Sequence, residues 1–312
     1  MESAVKQKKL RRKERLSQIK SDIKQEGFFV NMENDTKIYL LESIVPNARA
    51  NILIVSPFGK TVHDLFLLTY YLNYNGFNVF RFDPRDHVGI STGDMVDFSL
   101  HKLEIDVNEA IKYFHFDDEL PTVILSMSLS FPVALKHATV NNKIASVISI
   151  VGVVDPDDTS IKAAKVIPND YRKPLELITA KTYSEPFGCR LYCKTFVDGL
   201  DSGGYAWYED VLSYLKLLKV PIFMIAAEQD EYVKIEDVHR FFGNKEVDGQ
   251  LIVLEGVTHE IGRSVSAAKL VAKQVVSYAQ EILEEQREVI MPSLVEVIAQ
   301  SEKESEYINT FN

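Results

Sequence analysis

No apolar run in this chain approaches the roughly 20 residues a helix needs to cross a bilayer, which argues against stable membrane insertion. The N-terminus also lacks the hydrophobic stretch of a secretory signal; lysine and arginine stand there instead. Cysteine is scarce. Cys189 and Cys193 are the only two, four positions apart and without a His or Cys cluster nearby. That spacing suits reduced thiols on one helix face better than a disulfide or a metal site. A Gly-rich phosphate loop, a dinucleotide fingerprint, a metal-ligand cluster and an internal repeat are all missing. These absences point to a cytoplasmic protein that works without metal or cofactor.

Excess positive charge is missing as well, except at one end. The formal net charge is −10, yet residues 1–25 carry nine Lys or Arg against three acids. The remaining body is therefore strongly acidic, which argues against nucleic acid as a partner. The basic end fits a solvated, partly helical extension, or one that docks on an acidic partner or an anionic surface.

What the chain does have is apolar content enough for a sizeable core: 312 residues, 46% hydrophobic. Residues 28–32 and 36–41 read as a hairpin around Glu33-Asn34-Asp35. Further strands are expected at 51–56, 78–82, just before Ser128, and at 145–151, 220–227 and 251–254. Helical patterns lie between them, near 62–75, 101–116, from 234 and over 264–288. Such alternation implies an α/β fold: a mostly parallel sheet with helices on both faces, led by an antiparallel hairpin. Polar turns and scattered aromatics over about 155–210 read as a cap inserted above the carboxyl edge of the sheet. Residues 26–288 are then the main domain, and 289–312 an acidic, weakly patterned tail.

The stretch Thr122-Val123-Ile124-Leu125-Ser126-Met127-Ser128-Leu129-Ser130-Phe131-Pro132-Val133-Ala134 passes from a β-branched run into a helical pattern with no loop between. A strand that turns straight into a helix throws the turn residue outward over the sheet's end. Here that residue is Ser128, in the position of a nucleophile elbow. Ser126 and Ser130 stand where glycines are usual; they are small enough for the crowded turn. A serine-rich helix cap is the plainer reading of the same residues.

A serine nucleophile needs a base, and the base an orienting acid. In the α/β-hydrolase arrangement these follow in the order Ser, acid, His, each just beyond a strand. After the strand ending at Ala227 comes Glu228-Gln229-Asp230-Glu231-Tyr232-Val233; after the next comes Glu255-Gly256-Val257-Thr258-His259-Glu260. Of the seven histidines only His239 and His259 follow the acid, and His239 lies in a helical pattern. The expected triad is Ser128, Asp230 and His259. Asp230 is preferred over Glu228 and Glu231 for its D-x-x-V setting before the next helix. Oxyanion donors are expected at the N–H of Leu129 and on the loop Pro57-Phe58-Gly59, where Phe58 is favoured over Gly59 and Pro57 has no N–H. His87 precedes the nucleophile, which breaks the order, so it reads as loop-stabilising.

Several stretches together resemble a known family: Asp86-His87-Val88-Gly89-Ile90-Ser91-Thr92-Gly93, Ser126 to Ser130, Val151-Gly152-Val153-Val154, Gln229 to Val233 and Thr258-His259-Glu260. They are similar to the bacterial bioluminescence acyl-transferases, the acyl-carrier-protein thioesterases of the luminescence fatty-acid reductase complex. The likeness runs from about residue 28 to 285. It implies an α/β-hydrolase fold that takes a tetradecanoyl group from acyl carrier protein onto Ser128, with His259 as base and Asp230 as acid. It also implies release of fatty acid to acyl-acceptor synthetase and reductase subunits that make aldehyde. The basic residues 1–25 go beyond that family, and the cap matches only in patches. The acyl tunnel is expected to use cap residues Leu175, Leu177, Ile178, Phe187 and Leu191. A general carboxylesterase on the same triad and a non-catalytic scaffold subunit are the alternatives.

Overall fold

The computed structural model describes residues 23–164, 182–284 and 287–311. Two antiparallel strands, β1 (Lys24–Asn31) and β2 (Lys37–Ile44), open the described chain. Between them Asn34 and Asp35 take φ of 58° and 57°, which their short polar side chains tolerate better than most. Then follow β3 (Asn51–Val55), α1 (Phe66–Tyr74), β4 (Asn78–Asp83), α2 (Leu100–Tyr113), β5 (Thr122–Met127), α3 (Phe131–Val140) and β6 (Ile144–Ile150). After β6 come α4 (Pro156–Ala164), the small hairpin of β7 (Tyr183–Ser184) and β8 (Leu191–Tyr192), α5 (Cys193–Gly203) and α6 (Tyr208–Leu217). The last described elements are β9 (Ile222–Ala227), α7 (Ile235–Phe242), β10 (Gly249–Leu254), α8 (Val265–Glu281) and α9 (Leu294–Ile308).

Eight strands form one sheet in the order β1-β2-β4-β3-β5-β6-β9-β10. The β1–β2 and β2–β4 pairings are antiparallel and the rest parallel. Neighbouring residues of one strand serve opposite cores. Ile52, Ile54, Val123, Leu125 and Ile225 pack with α1 and α8, whereas Leu53, Val55, Ile124, Met224 and Ala226 pack with α2, α3, α6 and α7. The pleat imposes that alternation, and helices on both faces explain why these strands read as continuous apolar runs.

From β3 the chain goes to β4 on one side, then crosses to β5 on the other. This reversal leaves a crevice beyond the carboxyl ends of β3 and β5. The loop starting at Pro57 and the turn at Ser128 therefore share one end of the sheet.

Three expectations need correcting. Cys189 lies in the loop before β8 while Cys193 opens α5, so the two free thiols do not share a helix face. Strand β8 lies between them, and the turn Pro186–Gly188, with left-handed φ at Phe187 and Gly188, leads into Cys189. The second concerns α8, which ends at Glu281 and is followed by a turn in which Glu284 has φ 53°.

The third concerns the C-terminus, where much of the expected weakly patterned tail is α9. Ser293 and Glu296 start this helix with a reciprocal capping box. Its Glu304 is wholly buried and accepts from Arg81 of β4 at 3.0 and 2.7 Å. Gln25 donates to the same carboxylate, so β1 begins inside the segment assigned to the basic extension. An acidic helix looks solvated when its buried cation lies on a distant strand. Among the described residues, no helix is long and apolar enough to cross a membrane.

Candidate active site

Ser128 sits between β5 and α3 at φ 53°, in the left-handed region that L-residues seldom adopt. Such strain persists only where the surroundings impose it. Here they do so from both adjacent strands. The Ser130 hydroxyl accepts from the N–H of Met127 (3.1 Å) and lies within bonding distance of the carbonyls of Met127 and Val55 (2.9 and 3.0 Å). On the other side, the N–H of Val153 donates to the carbonyl of Ser128 at 3.1 Å. Gly152 allows that approach, because a Cβ there would strike the Phe131 ring and the Ser149 hydroxyl. Ser130, where a glycine is usual, is thus a bonded part of the turn.

The Ser128 Oγ lies 2.7 Å from Nε2 of His259, and His259 Nδ1 lies 2.7 Å from Oδ2 of Asp230. An ionised carboxylate only accepts, so Nδ1 carries the proton and the Nε2 lone pair faces the serine hydroxyl. The other oxygen of Asp230 accepts from the N–H groups of Tyr232 and Val233, both at 2.9 Å. Those bonds aim the carboxylate at the imidazole. Glu228 and Glu231 have different work: their carboxylates accept the N–H of Gly256 (2.8 Å) and of His259 (3.2 Å), holding the histidine loop. His259 is only 8% exposed, which leaves its imidazole little freedom.

Leu129 stands in the first turn after the elbow, where N–H groups have no intrahelical partner. On the facing loop the Gly59 N–H donates to Nε2 of His87 at 2.9 Å, while the Phe58 N–H has no partner among the described residues. Both backbone N–H groups belong to residues that line a cleft containing Ser128 and His259.

That cleft is mainly apolar, lined by Phe58, Leu129, Leu191, Phe196, Phe187 and Tyr232 among others. Phe187 and Leu191 were expected here from the sequence; Leu175, Leu177 and Ile178 lie outside the described residues. Phe196 and Tyr232 were not anticipated. Tyr232 stands two residues after Asp230, a signal available in the sequence, and its ring packs edge-on against His259 at 5.3 Å. Phe196 is brought in only by the fold of α5. Among the described residues, no group of three His, Cys, Asp or Glu could hold a metal ion.

A sequence profile of the family described as acyl transferase matches residues 26–307. The chain belongs to this acyl transferase family. It is 27% identical over 280 residues to the acyl transferase of Photobacterium phosphoreum, covering 84% of this chain and 89% of the relative. The acyl transferase of Aliivibrio fischeri is 25% identical over 286 residues, covering 88% and 91%. Solved structures show the same architecture. Est1E from Butyrivibrio proteoclasticus with bound ferulic acid superposes with a TM-score of 0.64 at 16% identity, over 83% of this chain and 100% of that one. The α/β hydrolase GrgF from a Penicillium species gives 0.65 at 15% identity, over 84% and 100%. This acyl transferase family member therefore has the α/β-hydrolase fold, with its eight-stranded, mostly parallel sheet between helices.

Proposed function

We propose that this chain is a serine acyl transferase and thioesterase acting on long-chain acyl thioesters. The carrying observation is the hydrogen-bonded series Ser128–His259–Asp230 at an apolar cleft, in a member of the acyl transferase family. His259 Nε2 takes the Ser128 proton as Oγ attacks the thioester carbonyl. The tetrahedral oxyanion accepts from the N–H groups of Leu129 and Phe58, each such donor contributing on the order of 10²–10³-fold to the rate. The C–S bond breaks, His259 returns the proton to the leaving sulfur, and the acyl group stays on Ser128. A water or another acceptor hydroxyl then gives its proton to His259 and attacks the ester; the acyl–Oγ bond breaks, and His259 returns the proton to Ser128.

The thioester's leaving group departs readily, so selectivity rests on the acyl portion and its apolar cleft. The family resemblance to the bioluminescence enzymes favours a tetradecanoyl-type chain delivered by acyl carrier protein, with synthetase and reductase subunits receiving the product. The test is intact mass after mixing with acyl thioesters of graded chain length, beside Ser128→Ala. The expected result is an acyl adduct on the wild type alone, strongest for long chains. Turnover that favours short soluble esters would mark a general esterase, and no adduct or turnover with any donor a scaffold.

A further inference from the structure

The loop Asp83–Gly93 shares the crevice but contributes no atom to the acyl-transfer steps above. It is nevertheless heavily anchored. Asp83 accepts the N–H groups of Val62 (2.8 Å) and Ile90 (3.2 Å), Arg85 pairs with Asp106 at 2.7 Å, and Asp86 pairs with Lys102. All this bonding immobilises the backbone around His87, which is 6% exposed and wedged against the rings of Phe98 (5.1 Å) and Phe58 (6.1 Å).

His87 has one bond that bears on the cleft. Its Nε2 faces the Gly59 N–H at 2.9 Å, and because an N–H can only donate, Nε2 must be unprotonated. Burial lowers the His87 pKa to about 4, so the accepting form prevails at neutral pH. Gly59 itself has φ 73°, which only glycine adopts without strain. The peptide after Phe58 is therefore clamped, while the one before it starts from the rigid Pro57 ring. The Phe58 N–H lies between two fixed points.

We propose that His87 is a positioning residue: by taking the Gly59 N–H, its Nε2 commits that donor and aims the N–H of Phe58 at the reacting carbonyl oxygen. This rests on the acyl-transfer reading above. A histidine that merely filled space would be replaceable by any side chain of similar size. One that aims a donor needs an acceptor at Nε2, which the Oε1 of glutamine supplies and leucine does not.

The experiment compares wild type, His87→Gln and His87→Leu by the single-turnover rate of acyl–Ser128 formation from a long-chain acyl thioester, its concentration dependence and thermal unfolding. The expected result is an acylation rate about 10- to 100-fold lower in His87→Leu at nearly unchanged half-saturating thioester, with His87→Gln within a few-fold of wild type. Near-native acylation in His87→Leu overturns the assignment. So does an equal loss in both variants, which would mean that the acceptor is irrelevant. A wild type that forms no adduct and turns over no acyl donor overturns the acyl-transfer reading, and this assignment with it.

Discussion

Two carboxylates in this molecule each face a nitrogen partner at 2.7 Å, and they are put to opposite uses. Glu304 meets Arg81 with both side chains wholly buried, one in mid-helix and the other in mid-strand. Gln25, Ser43 and Arg81 are held there by the strands of the sheet, and the pair locks α9 to it. Asp230 meets His259 on loops at the carboxyl edge, and the far side of the imidazole opens on a cleft. The same electrostatics give a closure in one place and, in the acyl-transfer mechanism proposed above, a proton path in the other. What differs is whether the chain of hydrogen bonds ends inside the protein or at a surface that a ligand reaches.

The sharpest way to separate the two is to change each carboxylate to its amide. Asp230→Asn is expected to lower turnover about 10⁴-fold, because an amide N–H₂ facing Nδ1 favours the wrong imidazole tautomer. Its unfolding midpoint should stay close to wild type, since the amide oxygen still accepts from Tyr232 and Val233. Rate and melting measured on one preparation test both halves. Glu304→Gln is expected to do the reverse. It leaves Arg81 charged and buried without its anion, at a cost of about 3–5 kcal/mol in denaturant titration. Turnover per folded molecule should be unchanged. A stable Glu304→Gln protein would remove the lock from the account.

Acid separates the regions more gently. Burial pushes the Glu304 pKa up, but Arg81, the nearby His63 and the hydrogen bonds from Arg81 and Gln25 outweigh it and hold the group at about 2, below its ordinary 4.5. Its contribution is therefore complete above pH 4.5 and is lost as pH falls towards 2. His87, depressed from 6.5 to about 4 by burial, is lost in the earlier window, as the unfolded chain takes up a proton below pH 6.5. Each is worth at most on the order of 3 kcal/mol. Stability measured against pH should fall in both windows, and His87→Gln should flatten only the first.

The smallest effect is expected at the cleft rim. Phe187 is 49% exposed, with φ 54°, and its ring meets Tyr232 at 5.0 Å and Phe58 at 6.3 Å. Phe187→Ala should raise the half-saturating concentration of long-chain thioesters about three- to tenfold and affect short chains less. A uniform change across chain lengths would place Phe187 outside acyl recognition.

Much of this was legible in the residues. β3, β5 and β9 are short β-branched and aliphatic runs, and their alternation with amphipathic stretches was enough for a mostly parallel sheet. The elbow was legible at Ser128 because strand and helix patterns abut there without a linker. Asp230 and His259 were found by chain order and by standing just past strands. The role of Ser130 was not, because its bond to Val55 crosses from the turn after β5 to the end of β3. Nor was α9: residues 300–306 are polar throughout, and Glu304 reads as solvated until Arg81 is placed beside it.

The sequence by itself determined the local matters: which runs are strands, where each turns, and which serine, acid and histidine stand at strand ends in the hydrolase order. Periodicity, turn chemistry and order along the chain are properties of neighbours, and neighbours are what a sequence records. Only the tertiary structure decided what meets across the sheet. It gave the N–H of Gly59 to His87, a bond that no pattern along the chain had indicated. It set the Glu228 and Glu231 carboxylates on the backbone of the histidine loop, and it buried Glu304 against Arg81. Each of these turns on a distance of about 3 Å between residues distant in the chain, set by strand order and crossovers and so outside the reach of any local pattern.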